Sequence, residues 1–256
     1  MDEHILTLIC DPETHEALEF QPEALVNVRS GRRYLIREGI PDFIDKVSGR
    51  NKKYQELYDR IAWLYDPAEN LYRWFKRKQD FRRDYIDELE VSSSARILEV
   101  SIGTGANIPY LSSGVELFGL DLSWGMLGRC RKNLRKWNRT AELFHAEGER
   151  LPFHANIFDV VFHVGGINFF NDRARAIQEM VRVAKPGTKI VIVDETEKVV
   201  KQLYERIPVV KKYFRKRIEA VSDPTHLVPG NMREVKSKEF AGGRLYCLTF
   251  RKPRSS

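Results

Sequence analysis

No uninterrupted apolar run in this 256-residue chain approaches the roughly 20 residues that a membrane-spanning helix requires, so no such helix is expected. Cysteine is scarce: Cys10, Cys130 and Cys247 are scattered, which offers neither a disulfide framework nor a paired metal knuckle and fits a reducing compartment. Glycine (16) and proline (11) are too few and too dispersed for a collagen-like or low-complexity chain, and no internal repeat is present. The first residues, MDEHILTLICDPETHE, lack the basic start and long apolar centre of a secretory signal, so the chain is expected to stay in the cytoplasm.

What remains is an ordinary globular composition, 42% hydrophobic and 31% charged, long enough for one large domain and an appendage. The balance is basic, +7, and the excess is concentrated in YRWFKRKQDFRR (72–83) and KVVKQLYERIPVVKKYFRKR (198–217). Both mix Lys and Arg with aromatic residues at helical spacing. Four readings follow: solvated faces of amphipathic helices, an anionic lipid surface, a phosphate-bearing substrate, or RNA.

Three segments separate by pattern. Residues 1–47 read as a small β module of short strands and turns: HILTLIC, LEF, LVNV, RRYLI and the tight REGIPDF. Residues 48–94 carry apolar residues at helical intervals and read as two helices broken near Asp66-Pro67. Residues 95–256 alternate strand with helix: RILEV, ELFGLD, a helix over 123–138, AELFHA, FDVVFHV, a helix over 172–185 and KIVIVDE. REVKSKEF and RLYCLTF then form a hairpin about Gly242-Gly243. The alternation predicts an α/β, Rossmann-like fold: a mostly parallel twisted sheet with helices on both faces.

Open parallel sheets bind ligands beyond the carboxyl ends of their strands, where strand order reverses. RILEV runs directly into Glu99-Val-Ser101-Ile-Gly103-Thr-Gly105, a turn whose glycines let a ligand approach the backbone. The second strand ends in Asp121, where a carboxylate can accept from both hydroxyls of a ribose. The third leads to Glu147-Gly148, and the fourth to His163-Val164-Gly165-Gly166-Ile-Asn168. A dinucleotide fingerprint, G-x-G-x-x-G, is disfavoured because Ile108 stands where its last glycine belongs.

Taken in order, ILEVSIGTGANIPYL, GLDLSWGML, AEGERLPF, FDVVFHVGGINFF and RVAKPGTKIVIVDE resemble the motifs of class I S-adenosylmethionine-dependent methyltransferases, in particular the ubiquinone and menaquinone branch. That resemblance implies an enzyme that binds S-adenosyl-L-methionine and releases S-adenosyl-L-homocysteine. It implies Glu99 near the methionyl amino group, Ser101, Gly103 and Gly105 as the cofactor turn, and Asp121 on the ribose. Leu122 and Met126 would pack on the adenine, Glu147 and Gly148 would contact its edge, and Val164, at the end of the fourth strand, would also contact the cofactor. Ser101 departs from the usual first glycine. YDRIAWLYD (58–66) is similar to the tyrosine-bearing lid of this branch, with Tyr58 and Tyr65 seven apart on one face.

Residues 1–47 resemble, more faintly, a zinc-ribbon module found in front of some ribosomal RNA methyltransferases and as a separate methyltransferase partner. Of its two cysteine pairs only Cys10 remains, so no metal is expected. The catalytic candidates are His163, Asn168 and His226, with either histidine a candidate general base. Three functions stay open at this level: methylation of a hydrophobic small molecule (a quinone, isoprenoid, polyketide or lipid), with peripheral binding to an anionic membrane or a phosphate-bearing substrate; RNA methylation; and a cofactor-binding protein of this fold that does not methylate.

Overall fold

The computed structural model describes residues 2–76, 81–199, 201 and 221–254, and the side chains of these apart from 63–76. Eleven strands are present among them: β1 (Leu18–Gln21), β2 (Ala24–Asn27), β3 (Arg33–Arg37), β4 (Ile40–Pro41), β5 (Arg96–Val100), β6 (Glu116–Asp121), β7 (Glu142–His145), β8 (Val160–Val164), β9 (Lys189–Glu195), β10 (Arg233–Phe240) and β11 (Leu245–Arg251). The last seven form one sheet in the order β10-β11-β9-β8-β5-β6-β7. β7, β6, β5, β8 and β9 run parallel, while β11 pairs antiparallel with both β9 and β10. Strand order therefore reverses between β5 and β8, which fixes the ligand crevice at their carboxyl ends. The strands at this centre are buried on both faces, as the near-continuous runs RILEV and VVFHV require.

The helices start and stop where local chemistry dictates. Helix α4 (Trp124–Trp137) begins at Ser123, whose side chain accepts from the Met126 N–H, and ends at Asn138 in the left-handed conformation. Helix α5 (Arg173–Val183) is capped in the same way by Asp172. Two sequence expectations need correction. HILTLIC opens as a helical turn, α1 (Glu3–Leu6), because Asp2 caps it through the His4 N–H; only Ile9 and Cys10 then make isolated bridges. The helix α2 (Gly49–Lys76) runs unbroken through Pro67, whose missing N–H costs a single ladder bond. Helix α3 (Arg82–Ile86) follows. Most of the basic stretch 198–217 lies outside the described residues, as do residues 77–80 of the other.

The N-terminal module shares the core of the large sheet. Ile9, Leu25, Tyr34 and Phe43 belong to one buried cluster with Phe118, Phe144 and Phe153. Each such side chain contributes about 1.5–3 kcal/mol on burial, so the module is held by packing. Where the resembled zinc ribbon would carry its cysteine pairs, a polar knot stands instead. Asp11 accepts from the Glu13 and Thr14 N–H groups, Asn27 accepts from those of Arg29 and Ser30, and the two side chains meet at 2.7 Å, with the Tyr34 hydroxyl donating to Asp11 at 2.9 Å. Burial pushes the Cys10 thiol up to about 12, far from the thiolate a metal needs. Among the described residues no cluster of three or more His, Cys, Asp or Glu can hold a metal ion, and no helix is long and apolar enough to cross a membrane.

Candidate functional site

A cleft opens at the β5/β8 switch point. Its floor is the turn after β5. Gly103 sits there at φ +57° with nothing within 4 Å of where a Cβ would stand, so the space above its backbone is free for a ligand. Ser101 holds φ +61° in the same turn, a left-handed conformation that costs a non-glycine residue about 1–2 kcal/mol. Gly105 also has positive φ but faces away from the cleft: a Cβ there would lie 2.9 Å from the Cys130 sulfur of α4 and 2.8 Å from Ile108.

Asp121 ends β6 on one side of the floor. Its Oδ2 accepts from the Gly103 N–H at 2.8 Å and its Oδ1 from the Ser123 N–H at 2.9 Å, which leaves a lone pair on each oxygen. Burial raises its pKa to about 6 against the pull of those donors. Leu122 and Met126 line the cleft beside it. Glu99 ends β5 and is 1% exposed; its Oε1 accepts from Asn107 Nδ2 at 2.6 Å, while its Oε2 is buried with no hydrogen-bond partner. Burial pushes Glu99 up to about 8. On the other side of the switch point, Val164, Gly165, Gly166, Asp194 and Glu195 form the wall. Asp194 is buried, and burial raises its pKa although it accepts from Asn168 and the Glu195 N–H.

Helix α2 closes the top. Asp59 accepts from the Gly125 N–H at 3.0 Å and from the Ser123 hydroxyl, so it caps α4 from outside. Gln55 donates to the Leu122 carbonyl at 2.9 Å, and Asn51 donates to Glu149 at 3.1 Å while accepting from the Asn171 N–H. Tyr54 stacks on Phe169 at 4.4 Å, and both line the cleft with Tyr58, Phe170, Arg82 and Tyr85. The side chain of Tyr65 lies outside the described residues. The sequence reading did not single out Asn51, Tyr54, Gln55, Asn107 or Asp194. An N-terminal Asn or Gln on an amphipathic helix carries no signal of what it will face.

Other sequence candidates stand elsewhere. Glu147 is absent from the cleft wall and accepts from Asn51 Nδ2 at 3.1 Å. Gly148 is a packing glycine, since a Cβ there would meet the Phe170 ring at 2.5 Å. None of the three catalytic candidates is among the residues that line the cleft. His163 is fully buried: Nδ1 pairs with the Val100 carbonyl and Nε2 accepts from the Ile167 N–H, both at 2.9 Å. Burial lowers its pKa to about 4, so it is a neutral clamp on the turn after β8 with no lone pair left for a substrate. The Asn168 amide is consumed by Asp194 and Glu195, and its oxygen by Arg173. His226 is exposed on a 3-10 turn.

The donor set fits S-adenosylmethionine on structural grounds alone. Glu99 brings a partnerless carboxyl oxygen to the cleft lining, Asp121 keeps a lone pair on each oxygen for hydroxyl donors, and the open backbone of Gly103 leaves room for a ligand. Three buried carboxyls, Glu99, Asp121 and Asp194, also suit a cationic sulfonium.

Comparison with known proteins agrees. Residues 98–192 match the family model described as a methyltransferase domain. A demethylmenaquinone methyltransferase from Shouchella clausii is 29% identical over 77% of this chain and 95% of its own length. A ubiquinone/menaquinone biosynthesis C-methyltransferase from Geotalea daltonii is 30% identical over 58% of this chain and 66% of its own. Among solved structures, Haemonchus contortus phosphoethanolamine N-methyltransferase 2 in complex with S-adenosyl-L-methionine shares the fold at TM-score 0.59 and 15% identity, over 84% of this chain and 62% of that one. Strand order, cleft chemistry and these matches converge on one enzyme class: the chain carries a class I S-adenosylmethionine-dependent methyltransferase domain.

Proposed function

We propose that this enzyme methylates a hydrophobic, aromatic small molecule of the quinone type. The observation that carries this reading is the aromatic lining of the cleft: Tyr54, Tyr58, Tyr85, Phe169 and Phe170 all border it. A planar acceptor gains from such rings about 0.5–1.5 kcal/mol per stacked pair beyond simple burial. The quinone methyltransferases among the relatives support it.

S-adenosylmethionine supplies an electrophilic methyl group. The chain's own residues hold and orient. Asp121 takes the ribose, with Leu122 and Met126 against the adenine; Glu99 takes the methionyl ammonium; the Ser101–Gly103 backbone lets the sulfonium approach. Helix α2, pinned through Asn51, Gln55 and Asp59, excludes water and sets the acceptor's plane, and Tyr58 and Val164 border the transfer region. Glu195, half-buried at the end of β9, is the carboxylate assigned to take the acceptor's hydroxyl proton. The basic stretches 72–83 and 198–217 bring the enzyme to an anionic membrane surface, where such acceptors reside, and its working place is the cytoplasmic face.

The test is turnover of reduced demethylmenaquinone under anaerobic conditions, read by product mass. Gain of one methyl with equimolar S-adenosylhomocysteine is the expected result. Absence of product, together with methyl incorporation into RNA and a steep salt dependence of RNA binding, would replace this reading.

A further inference from the structure

The N-terminal module touches the cofactor side of the enzyme through a chain of buried polar contacts. After β4 the module runs alongside the open edge of the large sheet: Asp42 bridges His145 in parallel, and the Phe43 N–H donates to the His145 carbonyl at 2.9 Å. The side chains of the same two residues pair, with Asp42 Oδ1 2.7 Å from His145 Nδ1 and both almost wholly buried. Across the ring, His145 Nε2 lies 3.0 Å from the Leu122 carbonyl. Trp124, the first residue of α4, stacks on the imidazole at 4.4 Å, and Arg37 of β3 sits 6.0 Å over that indole and 3.4 Å from Asp42 Oδ2. Burial pushes the Asp42 carboxyl up, yet the hydrogen bond and charge of His145 prevail and hold it below its ordinary value.

Leu122 is the residue next to Asp121, in the turn between β6 and α4 that lines the nucleoside half of the cleft. Its carbonyl also accepts from Gln55 of the α2 lid. Three parts of the chain thus meet at one backbone oxygen. We propose that the module is a working part of the cofactor site: Asp42 is a positioning residue that, through His145, fixes the Leu122 carbonyl and with it the turn that receives the nucleoside of S-adenosylmethionine. The inference rests on the cofactor site alone and is independent of the acceptor.

A side chain held at one nitrogen is free to turn about its remaining torsions. Without Asp42 the His145 ring loses the partner that aims Nε2 at Leu122, and the turn loses a fixed wall where the adenine packs. This distinguishes positioning from docking. A glutamine at 145 places its amide donor near the position of Nε2 and forgoes Asp42; an asparagine places it near Nδ1 and forgoes Leu122.

The experiment is S-adenosylhomocysteine binding by calorimetry on the full chain, with melting curves of each ligand-free variant. Asp42→Ala should weaken binding about 5- to 20-fold, the loss of one well-placed hydrogen bond and its preorganisation. His145→Asn should lose at least as much. His145→Gln, which can still reach the Leu122 carbonyl but is no longer aimed by Asp42, should lose about as much as Asp42→Ala, and adding Asp42→Ala to His145→Gln should change affinity by less than twofold. Arg32→Gln, which removes the module's own contacts to Glu13, Asp45 and the Tyr34 ring, serves as the control with unchanged affinity. If Asp42→Ala binds as tightly as the wild type, the proposal is overturned. The same holds if Asp42→Ala weakens binding as much in the His145→Gln background as in the wild type, since Asp42 then does not act through His145. Should Asp42→Ala not fold, the two His145 variants decide alone: wild-type affinity in either one overturns the proposal.

Discussion

Replacing Asp121 with asparagine separates the two jobs of that carboxyl. In the ligand-free protein the group is disfavoured: burial raises its pKa from 3.8 to about 6, which sets about 3 kcal/mol against the charged form at neutral pH. Asparagine removes that burden. It also presents an amide N–H to either Gly103 N–H or Ser123 N–H, both of which donate to the carboxylate, and one buried donor left facing another costs about 1–3 kcal/mol. The two effects nearly offset, so the melting temperature of the free protein should move by only a few degrees. Ligand binding has no such offset. Charge-assisted bonds from ribose hydroxyls contribute about 1.5–3 kcal/mol, so S-adenosylhomocysteine should bind roughly 10- to 150-fold more weakly. The pH dependence carries the same sign. Ribose donors favour the carboxylate, so wild-type affinity should fall as pH drops through about 6 and binding near that pH should release a proton. Titration calorimetry in two buffers of different ionisation heat measures both. Affinity within twofold of wild type, with no proton release, would refute the assignment of Asp121 to the ribose.

Glu99 follows related reasoning. With its folded pKa raised from 4.5 to about 8, the free protein should lose stability as pH rises across that window, and Glu99→Gln should flatten this slope in melting curves while weakening cofactor binding about tenfold. Ser101→Gly relieves a left-handed serine at φ +61°; the gain of about 1–2 kcal/mol exceeds the entropy cost of about 0.5–1 kcal/mol for a new glycine, so denaturant midpoints should rise slightly. His163→Leu strands the Val100 carbonyl and the Ile167 N–H in the core and should destabilise by about 2–5 kcal/mol without changing the shape of the pH–rate profile, whereas His226→Ala should leave turnover within twofold. Replacing Lys211, Lys212, Arg215 and Lys216 with glutamine should weaken flotation with anionic vesicles, each basic residue adding about 1 kcal/mol at most, and leave S-adenosylhomocysteine affinity intact.

Sequence alone determined the parts of this protein governed by short-range pattern. The alternation of RILEV, ELFGLD and VVFHV with amphipathic helices required a parallel sheet, because strands buried on both faces read as continuous apolar runs and need crossover helices to cover them. The helices over 123–138 and 172–185 and the hairpin at Gly242-Gly243 were legible because their chemistry is local. So was the line of Glu99, Ser101, Gly103 and Asp121 along the cleft, since strand ends and turns fix where such residues emerge. Only the tertiary structure decided what each polar side chain faces. His163 and Asn168 follow the strand where a base would be useful, yet they spend their hydrogen-bonding groups on Val100, Ile167 and Asp194, partners brought near by neighbouring strands. Asp42 and His145 are 103 residues apart and carry no shared motif; their pairing exists because the module lies along the β7 edge. Periodicity reports which face of an element is buried. Which buried group satisfies which other depends on how the elements pack against one another, and that is settled only when the chain closes on itself.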